Sequence, residues 1–212
     1  MRQVDAPSVW GVGLVGRLPW PVSPSDMADE TEVAADHLRM LGLPRGGLVL
    51  IVSRLSETIH VAPIELAAGR LDARWSSADA TEGDAHRTAS LIRQLSPDIV
   101  IGVNETTVHA VGVDAFATVP VVAVTDAAAR VTVAGARWWL RLGPTSAFEC
   151  GERAGAHYDD TRWHVDVTDD GLVITNIADR YTRADRLPTG FAGALDDSPC
   201  ACGRPSSRIV IA

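Results

Sequence analysis

The chain has 212 residues, 46% of them hydrophobic, and carries a formal charge of -8 with a pI near 5.1. That length supports one large domain, or a domain plus a small appendage, with a self-sufficient core, the acidic balance argues against a nucleic-acid partner, and no run of about 18 apolar residues offers a membrane span. No lysine is present and all 19 basic residues are arginine, which excludes a Schiff base, a P-loop lysine or a lysine base from the chemistry of these residues.

The opening stretch MRQVDAPSVWGVGLVGRLPWP lacks a basic-then-apolar leader, so a cytoplasmic location is expected. Residues 1–25 read as a Pro- and Trp-containing arm. A helix follows, with Val33, Ala34, His37, Leu38 and Leu41 on one stripe and Gly42 and Pro44 as its stop. Strand-like and helix-like segments then alternate: LVLIVS (48–53), a helix over about 56–70, ARWSSA, a helix over about 84–95, DIVIGV (98–103), a short helix to about Val111, and VPVVAVTD (119–126). Continuous apolar strands separated by helices predict an α/β fold, a doubly wound and mainly parallel sheet. From about Arg137 the strands ARWWLRL, RWHVDVTDDGLVITNI and SSRIVIA come without long helices, with Asp169-Asp170-Gly171 as a hairpin connection. The expected division is an α/β unit with its arm over 1–142 and a small antiparallel β unit over 143–212.

Three cysteines occur in the chain. Cys150 lies seven residues before His157, and Cys200 and Cys202 follow some fifty residues later. Three thiolates and an imidazole suit a tetrahedral zinc ion, and four protein ligands leave no open position, so such an ion would be structural. Buried inert thiols, a strained Cys200–Cys202 disulfide, or His164 as the fourth ligand are the alternatives. Alternation in RWHVDV puts His164 on the face opposite Trp163, Val165 and Val167.

GPTSAFECGERAGAH (143–157), DGLVITNI (170–177) and PCACGR (199–204) with Arg208-Ile209 resemble the phenylacetate-CoA ligase branch of the adenylate-forming enzymes. Members of that family bind zinc through an ECxxxxGxH and a CxCGR stretch. The resemblance implies Cys150, His157, Cys200 and Cys202 as ligands, and it extends with lower specificity back to about residue 30, where it implies the flavodoxin-like subdomain in which the family builds its acyl pocket. The departures are specific. No Ser/Thr/Gly-rich phosphate loop with a lysine is present, and RLPTGFAG places Phe191 where the family has the aspartate of an RTGD element that holds the nucleotide ribose. LGPTSAFECG retains no sure equivalent of the magnesium-binding glutamate, and the family's C-terminal domain with its catalytic lysine has no counterpart before Ala212. A truncated ligase-like fold with zinc and without ATP is therefore expected.

Ligands of doubly wound sheets gather at the carboxyl ends of the strands. Those ends here are SRLSETIH, NETTVHA, TDAAAR and GPTS. Glu57 with His60 and Glu105 with His109 are carboxylate–imidazole pairs at helical spacing, a pattern suited to general acid/base catalysis. Their surroundings nominate His60, Glu57 and His109 as catalytic residues and Ser56, Asn104, Glu105, Thr145 and Ser146 as substrate-binding residues. Each has a plainer reading: Ser56 as a helix N-cap, Asn104 and Glu105 as cap and first-turn residues, and the Glu/His pairs as solvated surface pairs. His37 and His86 carry no assigned role, and one of Trp138 and Trp139 should be core while the other walls a pocket or interface. Two functions fit: a cofactor-independent enzyme that cyclises, hydrolyses or dehydrates a small-molecule or carrier-bound acyl or polyketide-like substrate in biosynthesis, or a non-catalytic pseudo-ligase that binds an acyl ligand or partner enzyme. A homodimer would replace the surface that a truncation uncovers.

Overall fold

Apolar runs that alternate with helices need cover on both faces, and that requirement organises the protein. The computed structural model describes residues 9–15, 18–125 and 133–211. Its strands are β1 (Gly11–Val15), β2 (Leu18–Val22), β3 (Leu48–Ser53), β4 (Arg74–Asp79), β5 (Ile99–Val103), β6 (Val121–Thr125), β7 (Arg137–Arg141), β8 (Ser146–Glu149), β9 (Ala156–His157), β10 (Trp163–Thr168), β11 (Gly171–Asn176), β12 (Leu187–Pro188), β13 (Gly193–Asp196) and β14 (Arg208–Ile211). Its helices are α1 (Pro24–Met40), α2 (Thr58–Arg70), α3 (Ala85–Leu95) and α4 (Glu105–Val111).

Nine strands form one sheet in the order β13-β14-β9-β8-β7-β6-β5-β3-β4. The strands β4, β3, β5, β6 and β7 are parallel, in the 2-1-3-4-5 order of doubly wound sheets. From β7 to β8 the pairing turns antiparallel and stays so to β13. The change falls on either side of residue 143, and the sheet is continuous across it.

Alternate residues of the parallel strands feed two cores. Val49, Ile51, Ile99 and Ile101 pack under α1 and α2 through Ala34, Leu38, Val61 and Ile64, whereas Leu50, Val52, Val100 and Val103 face Ile92 of α3 and Phe116. A third core joins the antiparallel part to α2 and to the β1–β2 hairpin through Trp20, Ile59, Leu140, Trp163, Ile174 and Phe191.

Local rules set the element ends. Ser23 caps α1 in a capping box with Asp26, and Pro24 occupies its first turn. Two expectations are corrected. Ser56 does not cap a helix: it lies exposed in a 3-10 turn at 55–57, and α2 starts at Thr58. The N-terminal arm holds a hairpin, β1 paired antiparallel with β2.

Candidate metal centre and cavity

The sheet brings Cys150 and His157 together. Phe148 pairs with His157 across β8 and β9, so Cys150, just past the end of β8, stands beside the imidazole. Gly155, at φ +113°, lets the intervening loop pass close to β14: a Cβ there would lie 3.0 Å from the Ile209 carbonyl oxygen. Cys200 and Cys202 arrive on a turn closed by the Gly203 amide donating to the Cys200 carbonyl at 2.9 Å. The approach to that turn is fixed by buried Arg208, whose Nη2 donates to Asp196 Oδ2 (2.6 Å), the Ser198 carbonyl (3.0 Å) and Ser198 Oγ (2.8 Å).

The ligand atoms of Cys150, His157, Cys200 and Cys202 all lie within 4.8 Å of one another. Cys150 Sγ is 3.7 Å from Cys200 Sγ, and Cys202 Sγ is 3.3 Å from His157 Nε2. A tetrahedral ion with bonds of about 2.3 Å to sulfur and about 2.0 Å to nitrogen needs edges of roughly 3.8 and 3.5 Å. The group therefore fits a metal ion. His157 Nδ1 is 2.9 Å from Ser206 Oγ, the outer contact that fixes which ring nitrogen faces a metal. All three thiols are free, and burial pushes the Cys150 thiol up to about 11, so metal binding must displace its proton. His164 stands apart on β10, 3.1 Å from Asp166.

The carboxyl-edge residues divide sharply. His60 and Arg141 line an open cavity of about 400 Å³ together with Leu14, Thr125, Thr189 and Phe191. Thr125 and Arg141 are the last residues of β6 and β7, which puts the cavity where ligands of such sheets bind. Glu57 is turned to Arg141, with Oε1 2.6 Å from Nη1 and both side chains 18% exposed. Its other oxygen accepts from the Arg54 amide at 3.0 Å. Glu57 thus holds Arg141 in place of the expected contact with His60. Burial, and then the positive Arg141, push the His60 imidazole down to about 3.

The other nominated residues are engaged elsewhere. Asn104 caps α4, its Oδ1 accepting from the Thr107 amide (2.8 Å) and hydroxyl (2.9 Å). Glu105 and His109 lie exposed on α4. The Thr145 hydroxyl donates to Glu30 at 3.1 Å, and Ser146 Oγ accepts from Trp139 Nε1 at 2.9 Å. Trp139 is buried and stacks on Phe148 at 5.6 Å, while Trp138 is half-buried. Of TDAAAR, residues 126–130 lie outside the described residues. Sequence reasoning missed Arg141, although its position at the end of an apolar strand was a usable signal.

Among the described residues no helix is long and apolar enough to cross a membrane. No family model and no curated protein matches the chain in sequence. Solved structures do. A 2-hydroxyisobutyryl-CoA ligase in an open conformation with 2-HIB-AMP and CoA aligns over 95% of this chain and 52% of its own, with a TM-score of 0.74 and 16% identity. The same ligase in its thioesterification state aligns over 95% and 51%, with a TM-score of 0.72 and 16% identity. The chain spans about half the length of these ligase chains. The likeness is one of fold: the chain follows the fold of about half of this ligase.

Proposed function

We propose that the protein is a ligase-like acyl-binding protein that works without ATP, and that its Cys150, His157, Cys200 and Cys202 hold a structural zinc ion. The observation that carries the acyl reading is the cavity at the ends of β6 and β7, where Arg141, locked by Glu57, and His60 stand beside apolar walls. A guanidinium with a neutral imidazole offers donors to a carbonyl or carboxylate, and Leu14, Val15 and Phe191 offer cover to the chain behind it. A small-molecule or carrier-bound acyl or polyketide-like compound has this chemistry.

Binding is favoured over acid/base catalysis. An imidazole held near pKa 3 is a weak proton acceptor at neutral pH, and the carboxylate that would raise its basicity is bonded to Arg141. Adenylation is disfavoured by Phe191, which lines the cavity at the position that the resembling motif gives to a ribose-binding aspartate. For the metal, three thiolates and one imidazole match zinc, and a closed ligand set gives it a stabilising role.

Native mass spectrometry of the purified protein tests both parts. One zinc per chain is expected, lost in Cys202→Ser, together with a retained acyl species or binding of added acyl acids that weakens at least tenfold in Arg141→Met. ATP-dependent pyrophosphate exchange with those acids should stay at background. Exchange above background would overturn the reading of this chain as non-adenylating, and a metal-free protein in reducing buffer would overturn the zinc assignment.

A further inference from the structure

The β1–β2 hairpin has two unlike edges. Pro19 and Pro21 stand opposite Leu14 and Val12. Proline has no N–H to give, so the ladder bonds run through the alternate pairs, Gly11 with Val22, Gly13 with Trp20 and Val15 with Leu18. The outer edge of β2 therefore lacks donors at residues 19 and 21, which closes it to a further strand. The outer edge of β1 presents the N–H and C=O groups of Val12 and Leu14, and among the described residues no strand pairs with it. Nor does charge guard it. Between Val9 and Val22 the sole ionisable side chain is Arg17, in a chain that is 22% charged.

The side chains follow the same division. Gly13 turns inward, where a Cβ would lie 2.3 Å from the Ile59 side chain, and Val15 is buried. Val12 and Leu14 point to the opposite face, 60% and 62% exposed, with Trp10 and Val9 at 41% and 43%. An unguarded edge beside an uncovered apolar face is a strand-pairing surface.

We propose that β1 pairs with β1 of a second copy, antiparallel about a two-fold axis at Gly13, forming a four-stranded sheet in the order β2-β1-β1-β2. In that register Val12 of each copy stands opposite Leu14 of the other, an apolar cross-strand pair made twice. Both outer edges of the new sheet are the proline-blocked β2 strands, so assembly closes at two copies and does not run on into a fibre. An unrelated extended segment would satisfy the same backbone groups, but the self-complementary register and the blocked ends favour a second copy. The exposed apolar side chains supply at most about 1,000 Å² over both copies, the lower bound for a specific interface, so the dimer is a weak and reversible one. Because Leu14 also lines the cavity, the second copy's strand runs along its rim. The dimer stands independently of what the cavity binds.

Sedimentation velocity between about 1 and 100 µM tests this. A monomer–dimer equilibrium is expected, weakened at least tenfold by Val12→Lys. Val12→Lys with Leu14→Glu places opposite charges in each cross-pair and should restore association, whereas Val12→Lys with Leu14→Lys should not. Far-UV circular dichroism checks that each variant folds. If Val12→Lys does not fold, Val12→Pro removes the same outward N–H without adding charge and should also give monomer. A protein that is monomeric across the range, or a dimer indifferent to these variants, overturns the proposal.

Discussion

His37 shows how one side chain ties stability to pH. It is 2% exposed on α1, its Nδ1 lies 2.7 Å from the Val33 carbonyl, and its ring centroid is 4.3 Å from that of Phe148. Burial, and then the nearby Arg204, push its imidazole down to about 3 from an ordinary 6.5. The folded protein keeps His37 neutral while the unfolded chain protonates it below about pH 6.5. The unfolded state therefore binds the extra proton on the acid side, and stability falls as pH drops from about 6.5 toward 3. His37→Gln has no proton to take up and should flatten that fall. Urea unfolding at pH 7 and pH 5 measures it, and an equal loss in both proteins would exclude His37 as the source. The helical stripe made His37 legible as a core-facing residue, but its environment depends on Phe148 and Arg204, which approach from more than a hundred residues away. The pairing of Glu57 with Arg141 was hidden for the same reason: helical spacing put His60 in view, and the sheet brought the stronger partner.

At the scale of elements, the segments that read most clearly were those covered on both faces. β3, β5 and β6 are buried along nearly their whole length, so their composition alone marks them. The β1–β2 hairpin was obscured because Pro19 and Pro21 read as breakers, although proline is harmless where its missing N–H would face outward. Within β5, Gly102 marks a register shift against β6 that the apolar run conceals. Its φ is +89°, and a Cβ there would lie 2.1 Å from the Val52 carbonyl oxygen, a backbone atom that cannot turn aside. Gly102→Ala should therefore cost more than about 2 kcal/mol, through clash and strain together. Gly69, exposed in α2 with open space around its Cβ position, gives the contrast. Gly69→Ala should gain about 0.5–1 kcal/mol, because alanine loses less backbone freedom on entering a helix. Chemical denaturation of both variants checks the pair, and similar effects would show that the glycines do not differ as the geometry requires.

Across the whole molecule, α1 is bound to the antiparallel part by a buried charge cluster that no local pattern announced. Arg180, in the loop after β11, has a side chain 2% exposed, with its guanidinium carbon 4.9 Å from the centroid of the Trp163 ring. Its Nη1 donates to Glu30 at 2.7 Å, and its Nε lies 3.5 Å from Asp26. Glu30 also accepts from Thr145, and burial pushes its carboxyl above the usual range even with Arg180 beside it. Desolvation of this kind makes the pair weak as a net source of stability but costly to break from one side. Arg180→Met leaves buried Asp26 and Glu30 without their guanidinium partner and should cost on the order of 3–5 kcal/mol. Arg180→Met with Glu30→Gln removes the main uncompensated charge as well, and should be less destabilising than the sum of the single variants. Urea unfolding of the four proteins gives the coupling directly. Additivity would mean that the two groups do not act as a unit; strong coupling would mean that α1, which covers the parallel core, and the antiparallel part that carries the Cys/His group share one cooperative unit. In that case metal bound at one end would raise the stability of helix α1 as well, and chelation should lower the single unfolding transition reported by tryptophan fluorescence and by far-UV circular dichroism alike.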